Sequence, residues 1–198
     1  VNEIQEAIAS GQNLFGENRV QEAKEKFSTL FDTNPSIQLH IIGQLQSNKV
    51  KNAVSLASCI QSLDRLDLLK EIEKQASKIN KQIEVLFELH TGEESKSGYQ
   101  TLEELEESLE YCASGQTPHV IPKGFMTMAP FTSDESLIRK SFITLREASE
   151  KMKKNFPQFS LDELSMGMSG DFEIAIEEGS TLVRVGTAIF GERDYSKK

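Results

Sequence analysis

Residues 164–191, LSMGMSGDFEIAIEEGSTLVRVGTAIFG, decide the fold. Leu164 to Met168 and Leu182 to Gly186 are short β-type runs, and Asp171 to Glu178 between them has helical spacing. Each run stops at a turn rich in glycine and hydroxyl groups that opens a helix. Strand, helix, strand and helix in one short stretch is the repeat of a parallel sheet with crossover helices, and it disfavours an antiparallel sandwich.

The same alternation recurs towards the N-terminus. Asn2 to Ser10 carries Ile4, Ala7 and Ile8 at helical spacing and ends at Gly11, so the chain opens on a helix. Asn13 to Gly16 reads as a strand, Asn18 to Leu30 as a helix, Gln38 to Gly43 as a strand and Gln44 to Ala57 as a helix. Cys59 to Leu63 is the next strand, and Leu66, Leu69, Ile72, Ala76 and Ile79 form the stripe of the helix behind it. Glu84 to His90 reads as a strand. Thr101 and Glu104 form a capping box ahead of Leu102, Leu105, Leu109 and Cys112. Lys123 to Met128 is a strand, and Thr132 and Glu135 form a second box ahead of a long helix lined by Ile138, Phe142, Leu145, Met152 and Phe156.

The pattern holds seven strands and about eight helices without a linker, so residues 1–198 are expected to form a single domain. A TIM (β/α)8 barrel needs eight strands. Because the first helix should follow a strand, the expectation is a barrel whose first strand precedes Val1. An open doubly wound sheet is the alternative, but its Gly-x-Gly-x-x-Gly turn is not present.

With 31 acidic and 22 basic residues the net charge is −9, which opposes the counterion release that drives nucleic-acid binding. No apolar run approaches the roughly 20 residues that span a bilayer, and the first residues do not read as a signal peptide. A cytoplasmic protein with no membrane or nucleic-acid partner is expected. A chain of 198 residues buries enough surface to need no disulfide or metal staple. Cys59 and Cys112 lie in apolar-periodic segments and read as buried thiols. His40, His90 and His119 are too scattered to suggest a metal site.

In such a barrel the chemistry sits just beyond the C-terminal ends of the strands. Two of these ends, Ser165 to Asp171 and Gly186 to Gly191, each open a helix. Their free N–H groups, with Ser169, Gly170, Gly186 and Thr187, would suit a phosphate; the plainer reading is two tight turns. Period two sets Arg184 on the face opposite Val183 and Val185. If that face is the interior, its guanidinium serves either a ligand or an acid on a neighbouring strand. Asn18 is a site residue or an N-cap, and His40 a site residue or a hydrogen-bonded core residue. The polar stretch Glu93 to Gly98 is a loop over the site or simply solvated. The run Glu103 to Glu110 reads as a solvated helix face.

Together these residues resemble one family, the pyridoxal-phosphate homeostasis proteins (YggS/PROSC-like), similar in fold to the N-terminal domain of alanine racemase. The resemblance covers nearly the whole chain. It rests on Phe15-Gly-Glu-Asn18 with Val20-Gln-Glu22, on the run from His40 to Lys49, on Glu94 to Gly98, on Met126 to Pro130, on Ser165 to Ser169 and on Gly179 to Gly191. It implies bound pyridoxal 5′-phosphate, with the phosphate on Ser169, Gly186 and Thr187, Arg184 facing the pyridine nitrogen and Asn18 near the ring. The expected cofactor-binding set is Asn18, His40, Met168, Ser169, Gly170, Arg184, Gly186 and Thr187, with no catalytic and no metal-binding residue.

The sequence departs from the family in one respect. The family holds its cofactor through a Schiff base to a lysine at the end of the first strand, and this sequence starts beyond that point. Lys49, Lys96, Lys123 and Lys151 do not stand at suitable strand ends, so the natural protein is expected to possess both that strand and that lysine. The resemblance implies vitamin B6 homeostasis: binding and delivery of the cofactor to apo-enzymes or amines by a monomer, without strong catalysis. The rivals are a pyridoxal-phosphate-dependent amino-acid racemase and a cofactor-free barrel enzyme acting on a phosphorylated metabolite.

Overall fold

The computed structural model describes residues 2–92 and 97–191. Seven strands alternate with eight helices: α1 (Asn2–Ala9), β1 (Leu14–Glu17), α2 (Val20–Thr33), β2 (Gln38–Ile41), α3 (Val50–Leu56), β3 (Cys59–Leu63), α4 (Leu66–Lys78), β4 (Ile83–Glu88), α5 (Leu102–Ala113), β5 (Val120–Met126), α6 (Glu135–Asn155), β6 (Glu163–Met168), α7 (Phe172–Glu177), β7 (Leu182–Arg184) and α8 (Thr187–Phe190). A short 3-10 turn, Ser47–Lys49, leads into α3. Every strand pairs in parallel with the next, in the order β1 to β7. No pairing joins β7 to β1 among the described residues.

Period two along the strands sorts their side chains into two populations. Phe15, Leu39, Ile41, Ile60, Val85, Phe87, Phe125, Leu164 and Met166 share one continuous core with the apolar stripes of the helices, such as Phe27 and Leu30 of α2 and Phe142 and Leu145 of α6. Cys59, Leu86 and Met126 face the other way and form a separate apolar cluster with Met128. Helices therefore cover one face of the sheet, whereas a doubly wound sheet carries them on both.

The sheet is also closely curled. Ser165 on β6 hydrogen-bonds Gln61 on β3 at 2.6 Å. Across three strand spacings of a flat sheet those residues would stand roughly 14 Å apart. Only a barrel-like curl brings them into contact, and sequential strand order with one-sided helices excludes the open doubly wound alternative.

Local signals hold with a few corrections. Thr101 caps α5, its hydroxyl accepting from the Glu104 N–H at 3.2 Å. The second capping box does not form: Asp134 is the N-cap of α6 and accepts from Ser136 N–H, while Thr132 takes the N–H of Asp134. A carboxylate one residue before the helix outcompetes a hydroxyl three residues before it. Ile79 does not join the α4 stripe, because it follows the last helical turn and is 53% exposed. Both cysteines are buried thiols as expected, and burial pushes Cys112 up to about 11. No described helix is long and apolar enough to cross a membrane.

Candidate functional site

At the C-terminal end of the barrel the β6–α7 and β7–α8 loops meet. Ser169 Oγ accepts from the backbone N–H of Gly186 at 3.1 Å and of Ala188 at 3.3 Å. The two turns singled out in the sequence thus converge on one oxygen position. Beside it, a Cβ added at Gly170 or Gly186 would meet nothing within 4 Å. Met168 donates its N–H to Asp171 Oδ1 at 2.5 Å, which fixes the path of the first loop. Thr187, the first residue of α8, is exposed at the same rim.

Arg184 ends β7 and points into the barrel. Its guanidinium donates to Ser165 Oγ at 2.6 Å and to the Thr127 carbonyl at 2.7 Å, two neutral acceptors. The ion pair with an acid on a neighbouring strand does not form among the described residues. Glu88 and Asp171 act on the guanidinium only through space. Burial pushes it down to about 10, against the opposing pull of those two carboxylates, so it stays charged at neutral pH.

The chain of contacts continues across the interior. Ser165 Oγ donates to Gln61 Oε1, and Gln61 Nε2 meets His40 Nδ1 at 2.7 Å. Arg184, Ser165, Gln61 and His40 therefore form one hydrogen-bonded line from β7 to β2. His40 is buried, and burial pushes its imidazole down to about 4, so it is neutral at physiological pH. Beneath this line, towards the N-terminal ends of the strands, stand Glu84, Lys123 and Glu163; Lys123 Nζ lies 3.9 Å from Glu84. Glu163 is raised by burial and by the Glu84 charge.

Glu88, at the end of β4, is 1% exposed. Ser97 donates to its Oε1 at 2.7 Å, whereas its buried Oε2 has no hydrogen-bond partner among the described residues. Burial pushes the carboxyl up to about 7; the Ser97 bond and the Arg184 charge oppose this and the Asp64 charge adds to it.

Of the residues singled out in the sequence, Met168, Ser169, Gly170, Gly186 and Thr187 gather at the two converging loops, and Arg184 and His40 share the interior line. Asn18 follows β1, exposed at the rim. It is not an N-cap, since that position of α2 is Arg19 and has no side-chain cap. Its backbone packs so closely on Gly43, after β2, that a Cβ there would lie 2.4 Å from Asn18 O; only glycine fits. Residues 93–96 of the polar loop lie outside the described residues. Sequence reasoning missed Gln61, Ser165, Thr127 and Glu88. Their signal was a polar side chain inside an otherwise apolar strand, as in Cys59-Ile-Gln-Ser-Leu63 and Val85-Leu-Phe-Glu88. Among the described residues no cluster of three or more His, Cys, Asp or Glu could hold a metal ion.

Residues 1–194 match the family described as alanine racemase, N-terminal domain. A pyridoxal phosphate homeostasis protein of Aquifex aeolicus is 42% identical over 192 residues, which span 97% of this chain and 82% of that relative. Its namesake in Escherichia coli K12 is 38% identical over 200 residues, 98% of this chain and 82% of that relative. The solved structure of PipY from Synechococcus elongatus with PLP bound superposes with a TM-score of 0.86 at 34% identity, over 95% of this chain and 86% of that one. An alanine racemase of Clostridium difficile superposes at 0.76 with 13% identity over 96% of this chain and 48% of that one. At that identity the likeness shows the barrel fold alone.

Proposed function

Because the chain belongs to the pyridoxal phosphate homeostasis proteins, built on the alanine racemase N-terminal domain, we propose that it binds pyridoxal 5′-phosphate and serves vitamin B6 homeostasis as a carrier. The observation that carries the reading is the convergence of two glycine-bearing loops at the barrel rim, with an interior cation on the strand between them and the core. Among the described residues Arg184 hydrogen-bonds only neutral acceptors, and the adjoining loops direct two backbone N–H groups at Ser169 Oγ, beside open space. A phosphate needs such N–H donors and glycines that admit it to the backbone, so the residues present fit the group.

Ser169, Gly170, Gly186 and Thr187 would hold the phosphate, with Met168 shaping the loop. Arg184, His40 and Asn18 would surround the ring. When bound, the cofactor supplies a reactive aldehyde and a ring able to draw in electrons. Arg184 works against the second property: a guanidinium charged at neutral pH disfavours another positive charge on a ring nitrogen beside it. This supports holding and handing on rather than turnover, and the chain is read as a non-enzyme. Apo-enzymes that use the cofactor, or free amines, would be the recipients. Residues 1–198 are read as one cofactor-binding domain, monomeric and cytoplasmic.

The test is equilibrium binding of pyridoxal 5′-phosphate and of unphosphorylated pyridoxal to the chain, followed by fluorescence. The expected result is saturable binding of the phosphorylated form at least tenfold tighter, a difference of about 1.4 kcal/mol, with both compounds bound more weakly by Arg184→Met. Equal affinity for the two compounds, or no saturable binding, would refute the reading. Production of D-alanine from L-alanine would refute the non-enzymatic part.

A further inference from the structure

The line from Arg184 to His40 has a direction. A guanidinium only donates, so Ser165 Oγ must accept from Arg184. That hydroxyl then has one proton to give, and Gln61 Oε1 at 2.6 Å takes it. The opposite end of the Gln61 amide carries only donors, and it faces His40 Nδ1 at 2.7 Å. Rotating the amide by half a turn would set a donor against Ser165 from both sides and leave the buried hydroxyl proton without an acceptor. Ser165 is 0% and Gln61 1% exposed, so water does not repair the loss.

We infer that Gln61 is a positioning residue: with Ser165 it transmits the donor character of Arg184 across the barrel and locks His40 as the neutral Nε2–H tautomer, a hydrogen-bond donor rather than a base. Nδ1 is occupied as an acceptor and Nε2 carries the proton, so the imidazole has no free lone pair with which to take a proton from a substrate. The low titration of His40 agrees with this, since burial is its cause and, among the described residues, no charged group bonds the ring. The ionisable side chains on the other strands are Glu17, Cys59, Glu84, Glu88, Lys123, Glu163 and Arg184. None of them hydrogen-bonds the ring among the described residues. The interior therefore offers an acceptor-rich ligand two donors, Arg184 and His40. His40 is therefore not a base for a racemase.

Only the donor role towards a ligand rests on the binding function proposed above. The tautomer is read on the ligand-free chain, so the two can fail separately. The experiment is long-range proton–nitrogen correlation NMR on the chain labelled with 15N-histidine, with His90→Gln and His119→Gln used to assign the three rings. The wild type is expected to show Nε2 protonated, Nδ1 bare and titration near 4. Gln61→Glu replaces the donor facing Nδ1 by a carboxylate oxygen. It should move the proton to Nδ1 and lift the titration from about 4 to the ordinary 6.5 or above. A wild-type proton on Nδ1 would overturn the inference, as would a folded Gln61→Glu that still titrates near 4. Should that variant not fold, the wild-type nitrogen shifts decide alone.

Discussion

Replacing Glu88 by Gln should stabilise the fold in alkali and leave it nearly unchanged, apart from a constant offset, in acid. Glu88 is 1% exposed, has among the described residues one hydrogen bond, from Ser97, and a bare Oε2, and titrates near 7 in place of the ordinary 4.5. A carboxyl raised in the folded state binds its proton more tightly there than in the unfolded chain. The stabilisation is then fully present below 4.5 and is lost as pH rises through 7. At about 1.4 kcal/mol per pH unit, ionising Glu88 should cost the fold on the order of 3 kcal/mol. That is a large share of the roughly 5–15 kcal/mol typical of a domain. Gln keeps the acceptor for Ser97 and removes the ionisation. Urea unfolding of both proteins at about pH 5 and about pH 8.5 gives four stabilities, and their double difference isolates the carboxyl because every other titration is shared. The variant should gain about 3 kcal/mol relative to wild type on going from acid to alkali. An identical difference at both pH values would show that Glu88 is not held protonated by burial, and the account of its environment would be wrong.

His40 should produce the opposite trend, because its folded value is lowered to about 4 from 6.5. Stability is lost as pH falls through that window, by up to about 3 kcal/mol, and His40→Asn, which keeps an acceptor for Gln61, should flatten the loss in acid unfolding curves. Gly167 has φ +96, and an added Cβ would lie 2.6 Å from the Ala175 Cβ, so Gly167→Ala should lower stability by about 1–3 kcal/mol. Gly186→Ala, with φ −118 and open space, should stay within about 0.5 kcal/mol in the same denaturation assay, yet weaken pyridoxal 5′-phosphate binding if the phosphate lies there. Thr101→Ala removes the hydroxyl that accepts from Glu104 and should cost about 1 kcal/mol, read as a lower thermal midpoint.

The sequence by itself determined the alternation of strands and helices, the helix-facing stripes and the two loops of the rim. These are local properties: periods of 2 and 3.6 and the chemistry of turns act over a few residues and need no knowledge of distant contacts. For the same reason it pointed to Ser169, Gly170, Gly186 and Thr187, which lie just after strands, and to Arg184, a charge on the alternating face of one. Only the tertiary structure decided what meets across the barrel. Gln61 and Ser165 are 104 residues apart in the chain and 2.6 Å apart in space, and no sequence pattern records which polar side chains the curl of a sheet brings together. Whether Arg184 would meet a carboxylate or neutral oxygens, and whether His40 would be a base or a donor, depended on that closure. So did the state of Glu88, because burial and unpaired atoms are properties of the enclosed interior, where removal from water sets the charge a group can carry.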